Sequence, residues 1–202
     1  MNILNEGRHH TVYTYGTDWV LKLPKPGNPI RKKEIAQRSV DFFNHHFSDF
    51  VPKNTYIEKW EGTPYAILQS RVHNAIHLGE YLCQTNNPNP RVLELLEEFL
   101  ERCMNIIMES GVGFDIIGTP PQKNLAHLLL GCTNLLVTGA VSNDSNDVNL
   151  TFVDNVVGTK SVHIQNIVLN KIAFLIIPSR RKRLIEIKRY LGSVQKLKQF
   201  SL

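Results

Sequence analysis

Period-two alternation opens the chain, and a period near 3.6 takes over its middle. Met1 to Leu4, Thr11 to Tyr15 and Asp18 to Leu23 have the β-branched and aromatic content of short strands, with Gly16 marking a turn. From Ile30 to about Phe47 the apolar residues recur at helical spacing: Ile35, Val40, Phe43 and Phe47 form one stripe, and Arg31, Lys32, Lys33 and Gln37 face away. Strand character returns over Asn54 to Trp60 and Pro64 to Val72, with Glu61-Gly62-Thr63 as the hairpin turn between them.

The second half reads differently. Asn89-Pro90 is a helix start, a capping residue followed by proline at the first helical position. The helix that follows places Val92, Leu95, Leu96, Phe99, Cys103, Ile106 and Ile107 on one face and stops at Gly111. Thr133 to Thr138 and Val148 to Asp154 are two short apolar strands flanking a polar loop, which predicts a hairpin. Pro178-Ser179 opens a last basic helix expected to run to about Leu191, before Gly192. The pattern predicts an α+β protein: strands around one helix, then a long helix, a β hairpin and terminal helices.

A chain of 202 residues makes one domain or two small lobes and buries a core without covalent staples. The cysteines, Cys83, Cys103 and Cys132, form no C-x-x-C pair, which argues against a zinc site and fits a reducing compartment. No apolar run approaches a membrane span and the first residues do not read as a signal peptide, so a soluble, cytoplasmic protein is expected. The net charge is +5, with much of the excess in Arg180-Arg181-Lys182-Arg183, Lys188, Arg189, Lys196 and Lys198. That run is read as a solvated helix face, with a nucleic-acid contact through the basic C-terminal helix as the alternative. There is no G-x-S-x-G elbow, Walker A loop or dinucleotide fingerprint.

The chemistry that remains is concentrated in a few residues. Lys22 sits inside the apolar run Trp19-Val20-Leu21-Lys22-Leu23, two positions from Val20 and on the same strand face. It is either a phosphate-binding cation or a surface lysine whose stem lies along the sheet. Ahead of it, Asn5-Glu6-Gly7-Arg8-His9-His10-Thr11-Val12-Tyr13 runs from a glycine turn into a Val-Tyr strand.

This opening resembles the start of a protein-kinase-like domain, in which a glycine-rich loop ends in Val-Tyr and a strand lysine holds the α and β phosphates. Gly7 matches the middle glycine, while Asn5 and His10 stand where flanking glycines would be. Asn134-Leu135-Leu136-Val137 resembles the end of the kinase catalytic loop, and Phe152-Val153-Asp154 resembles the strand that delivers the metal-binding aspartate. Asn155-Val156 replaces the Phe-Gly usual in regulated protein kinases.

The resemblance implies a two-lobed protein-kinase-like fold, with a small β-rich N-lobe over residues 1–72 and a reduced helical C-lobe over residues 73–202 that contains the β hairpin. It implies ATP and Mg2+ as cofactors, Gly7, Val12 and Lys22 around the nucleotide, the backbone of Gln69 to Arg71 at the base, and Asn134 and Asp154 on the metal. A glutamate of the first helix would pair with Lys22; Glu34 is the candidate, with Asp41 as the weaker one. For the general base two alignments stay open. Gly111-Val112-Gly113-Phe114-Asp115 resembles the strand that ends in the catalytic aspartate, whereas counting five residues back from Asn134 lands on Leu129 and implies a pseudokinase. Three functions follow as alternatives: a phosphotransferase acting on an unknown acceptor, a catalytically dead regulatory or scaffold module with a protein partner, or an unrelated binding domain with a basic tail.

Overall fold

The computed structural model describes residues 1–6, 10–26, 33–85, 88–110, 113–114, 134–139, 147–153, 157–158 and 180–200. The chain divides into two compact units. Met1–Asn74 and Thr151–Val157 form the first, and Ala75–Leu150 with Gly158–Leu202 the second.

The first unit is an antiparallel five-stranded sheet with a helix across it. Its strands are β1 (Ile3–Glu6), β2 (His10–Tyr15), β3 (Trp19–Pro24), β4 (Asn54–Ile57) and β5 (Ala66–Ser70), in the spatial order β1-β2-β3-β5-β4. Gly16, at φ 69°, turns β2 into β3. Between β4 and β5 the chain reverses at Glu61 and Gly62, both with positive φ (36° and 80°), inside a Trp60–Thr63 bridge. Paired positive φ values belong to the turn type whose twist suits a hairpin, which is why glycine is needed at one of them.

Helix α1 (Lys33–His46) connects β3 to β4. Its buried residues, Ala36, Ser39, Val40 and Phe43, recur three and four apart and form one stripe. Ala36 and Val40 pack with Tyr65 and Ile67, and Tyr56 leans on the cluster. At the far end of α1 the packing turns aromatic. Phe43 lies 5.7 Å from Phe47 and 5.4 Å from Phe152, ring centre to ring centre. The Phe152 amide also donates to the Phe50 carbonyl at 2.6 Å. Fully buried phenyl groups contribute roughly 1.5–3 kcal/mol each, so Phe152 anchors the returning segment in this unit.

The second unit is built on helices. In order it contains β6 (Ile76–His77), α2 (Leu78–Gln84), α3 (Pro90–Ser110), β7 (Gly113–Phe114), β8 (Leu135–Thr138), the first two residues of β9 (Asn149–Phe152), and the basic helix α4 (Arg180–Phe200). β6, β8 and β9 make a three-stranded sheet in that order, and the two-residue strand β10 (Val157–Gly158) pairs with β7. The start of α3 follows its sequence signature: Asn89 Oδ1 accepts from the Arg91 amide at 2.9 Å. The Tyr81 hydroxyl accepts from the Asn89 amide at 2.8 Å, which ties the cap to α2.

The short elements β6, α2, β7 and β10 are absent from the sequence pattern, and two further features depart from it. Leu93 and Leu100 are buried beside the expected α3 stripe; α4, whose Ile187, Tyr190 and Val194 are buried as well, packs along the same helix. Helix α4 also does not stop before Gly192; it continues to Phe200, with Lys198 bonded to Glu97 of α3. Gly192 carries no positive φ and ends nothing. Packing against α3 outweighs the helix penalty of one glycine, which is about 1 kcal/mol.

Candidate functional site

Directly opposed residues of an antiparallel pair project to the same side of the sheet. Val12 opposes Lys22, Thr14 opposes Val20, Lys22 opposes Ile67, and Gln69 opposes both Val20 and Asn54. These residues therefore share one face, the face on which Ile67 meets Ala36 and Val40 of α1. The candidate site is this face, in the first unit.

Lys22 is half-buried, and its ammonium donates to the backbone carbonyl of Val153 at 2.6 Å. The two residues lie 131 positions apart, and Val153 immediately precedes Asp154 in the sequence. Val20, two residues from Lys22, is 5 % exposed and supplies an apolar floor beside the cation. Val12 is half-buried across from it.

Glu34 is exposed in the first turn of α1, where an acid suits the helix dipole. No ion pair joins Lys22 and Glu34 among the described residues. Asp41 is exposed too, so neither acid of α1 belongs to its buried stripe. Instead the neighbouring Lys33 reaches Glu58 at 3.3 Å. Burial first, and then the charges of Glu58 and Glu34, hold the Tyr56 phenol above its ordinary range.

The strand end expected to meet a base is tightly engaged. The Ser70 amide donates to the Lys53 carbonyl at 2.9 Å and the Arg71 amide to the Asp18 carbonyl at 2.8 Å. Those donors are used within the unit, and Gln69 is flanked on both sides by strands. What Gln69 offers is its side chain: the amide nitrogen donates to Asn54 Oδ1 at 2.8 Å, and Asn54 Nδ2 donates to the Pro52 carbonyl at 2.6 Å.

His10, at a flanking-glycine position of the loop by the resemblance, is the first residue of β2 and is 8 % exposed. Its Nε2 lies 3.2 Å from the Tyr65 hydroxyl. Burial, with Tyr56 nearby, pushes the Tyr65 phenol up to about 12. Neither Asn54 nor Tyr65 was singled out by motif reading. A signal for Asn54 existed in the alternation, since it falls in phase with Tyr56, a polar residue on the inward register of a strand.

Asn134 belongs to the second unit, half-buried just before β8. Gly7, Asp115 and Asp154, and the alternative Leu129, lie outside the described residues. Among the described residues, no group of three or more His, Cys, Asp or Glu could hold a metal ion, and no helix is long and apolar enough to cross a membrane. No protein-family model matches this chain, and a search of curated proteins finds no relative.

Proposed function

We propose that the chain is a compact, divergent protein-kinase-like domain that binds a nucleoside triphosphate with magnesium and transfers phosphate to an acceptor. The observation that carries this reading is the hydrogen bond from Lys22 to the Val153 carbonyl. It joins the strand lysine to the residue beside Asp154, the two positions that the kinase resemblance assigns to phosphate and metal. Element order supports the reading as well: three strands, a helix, two strands, a short strand and helix (β6 and α2), a long helix, the short strand β7, then the β8–β9 pair.

Lys22 suits the phosphate part of such a group, and the rest of the assignment follows from the resemblance. An ammonium that already holds a neutral carbonyl binds a phosphate oxygen more strongly, because both partners are then charged. Lys22 would hold the phosphates, Asp154 and Asn134 the metal, and Asp115 would accept the acceptor's proton. Magnesium, when bound, neutralises charge on the phosphates. Val20 and Val12 would flank the nucleotide and keep water from the Lys22 charge.

A second reading, a nucleotide-binding regulatory module without catalysis, is favoured by Glu34. The acid that would aim the lysine is exposed in the first turn of α1, and no ion pair joins it to Lys22 among the described residues.

Thermal melting with ATP and magnesium tests nucleotide binding. At a hundredfold the dissociation constant the ligand adds about 2.7 kcal/mol of stability. Wild type should shift, Lys22→Ala and Asp154→Ala should not, and chelating the magnesium should shrink the shift. An unmoved wild type sinks both readings. Phosphate transfer to water or to a protein acceptor, abolished in Asp115→Asn, separates the enzyme from the silent module.

A further inference from the structure

The amide of Gln69 has a fixed orientation. The Pro52 carbonyl can only accept, so the end of Asn54 that faces it must be the NH2. The other end of Asn54, Oδ1, then faces Gln69, and it can be satisfied only by the Gln69 NH2. Both side chains are nearly sealed, with Asn54 5 % and Gln69 3 % exposed, which raises the cost of turning either amide over.

The consequence is at the far end of Gln69. Its Oε1 accepts no hydrogen bond among the described residues, and it is not one of the buried polar atoms left without a partner. It is a carbonyl-type oxygen held on the Lys22 face, opposite Val20 and two strand positions along from the cation. A fixed acceptor in that place selects for a donor.

We infer that Gln69 is a specificity-determining residue that accepts a hydrogen bond from the exocyclic amine of a 6-aminopurine nucleotide, with Asn54 positioning it. This rests on the nucleotide reading of the same face. A 6-oxopurine would bring a carbonyl oxygen against Oε1, two acceptors with no proton between them. A purine with only hydrogen at C6 would leave Oε1 unpaired.

The test is a binding series by melting shift and direct titration with magnesium and one of three triphosphates: ATP, purine riboside triphosphate or inosine triphosphate. Wild type should prefer ATP to purine riboside triphosphate by about tenfold, the worth of one hydrogen bond, and should bind inosine triphosphate more weakly still. Gln69→Leu should bind ATP and purine riboside triphosphate equally. Asn54→Ala should recover part of the inosine triphosphate binding, because a released Gln69 amide can present its NH2. Wild type alone can overturn the assignment. Equal affinity for all three leaves nucleotide binding standing and removes Gln69 from it; no shift with any of them removes the nucleotide reading itself.

Discussion

A lysine in an apolar strand is tolerated when its ammonium finds an acceptor, and Lys22 finds one in the Val153 carbonyl. The alternation put Lys22 on the strand face of Val20 and left open whether it is a phosphate-binding cation or a surface lysine. Its partner was not legible, because 131 positions separate them. Glu34 is the first acid of the helix after Lys22, and only the resemblance pairs the two; the ordinary preference of a first helical turn for acids explains it equally well, and the side chain is exposed.

Tyr65 carries a residue-level prediction. Its phenol is held at about 12 in the fold, against about 10 in the unfolded chain. Above pH 10 the unfolded state therefore loses a proton that the native state keeps. The contribution is complete below pH 10 and disappears as the pH rises through about 12. Denaturant titrations between pH 9 and 11 should show stability falling faster in wild type than in Tyr65→Phe. The cysteines offer a second check. Cys103 is fully buried and its thiol is pushed well up, while Cys83 is exposed. A thiol reagent followed by peptide mapping should label Cys83 in the native protein and Cys103 only after unfolding.

Two glycines set opposite expectations for the elements that contain them. Gly192 lies inside α4 with open space around a would-be Cβ. Gly192→Ala should raise stability by about 0.5–1 kcal/mol, measured by urea unfolding. Gly139, just after β8, has φ 71°, and a Cβ there would collide with the Asp147 backbone. Gly139→Ala should destabilise by more than 1 kcal/mol and lower the melting temperature. From sequence the two look alike, both glycines closing an apolar segment. Only the conformation distinguishes a turn that needs glycine from a helix that tolerates it. The capped start of α3 was legible, because an Asn-Pro pair and a helical stripe are local signals.

At the scale of the whole molecule, the return of Thr151–Val157 to the first unit depends on Phe152, which is fully buried against Phe43. Phe152→Ala should cost about 3–5 kcal/mol, read as a lower denaturant midpoint, and should weaken any ATP-dependent shift by loosening the segment that holds the Lys22 acceptor. Glu97→Gln, which breaks the partly exposed pair with Lys198, should change stability by no more than about 1 kcal/mol.

The sequence by itself determined the α+β class, the order of the longer elements, most of the buried stripes of α1 and α3, and the shared strand face of Lys22 and Val20. All of these follow from spacing between residues a few positions apart. The tertiary structure decided that β5 enters between β3 and β4, that α4 runs through Gly192 along α3, that Val153 meets Lys22, and that Asn54 orients Gln69. Each of these depends on contacts between distant segments, whose energy no local period records.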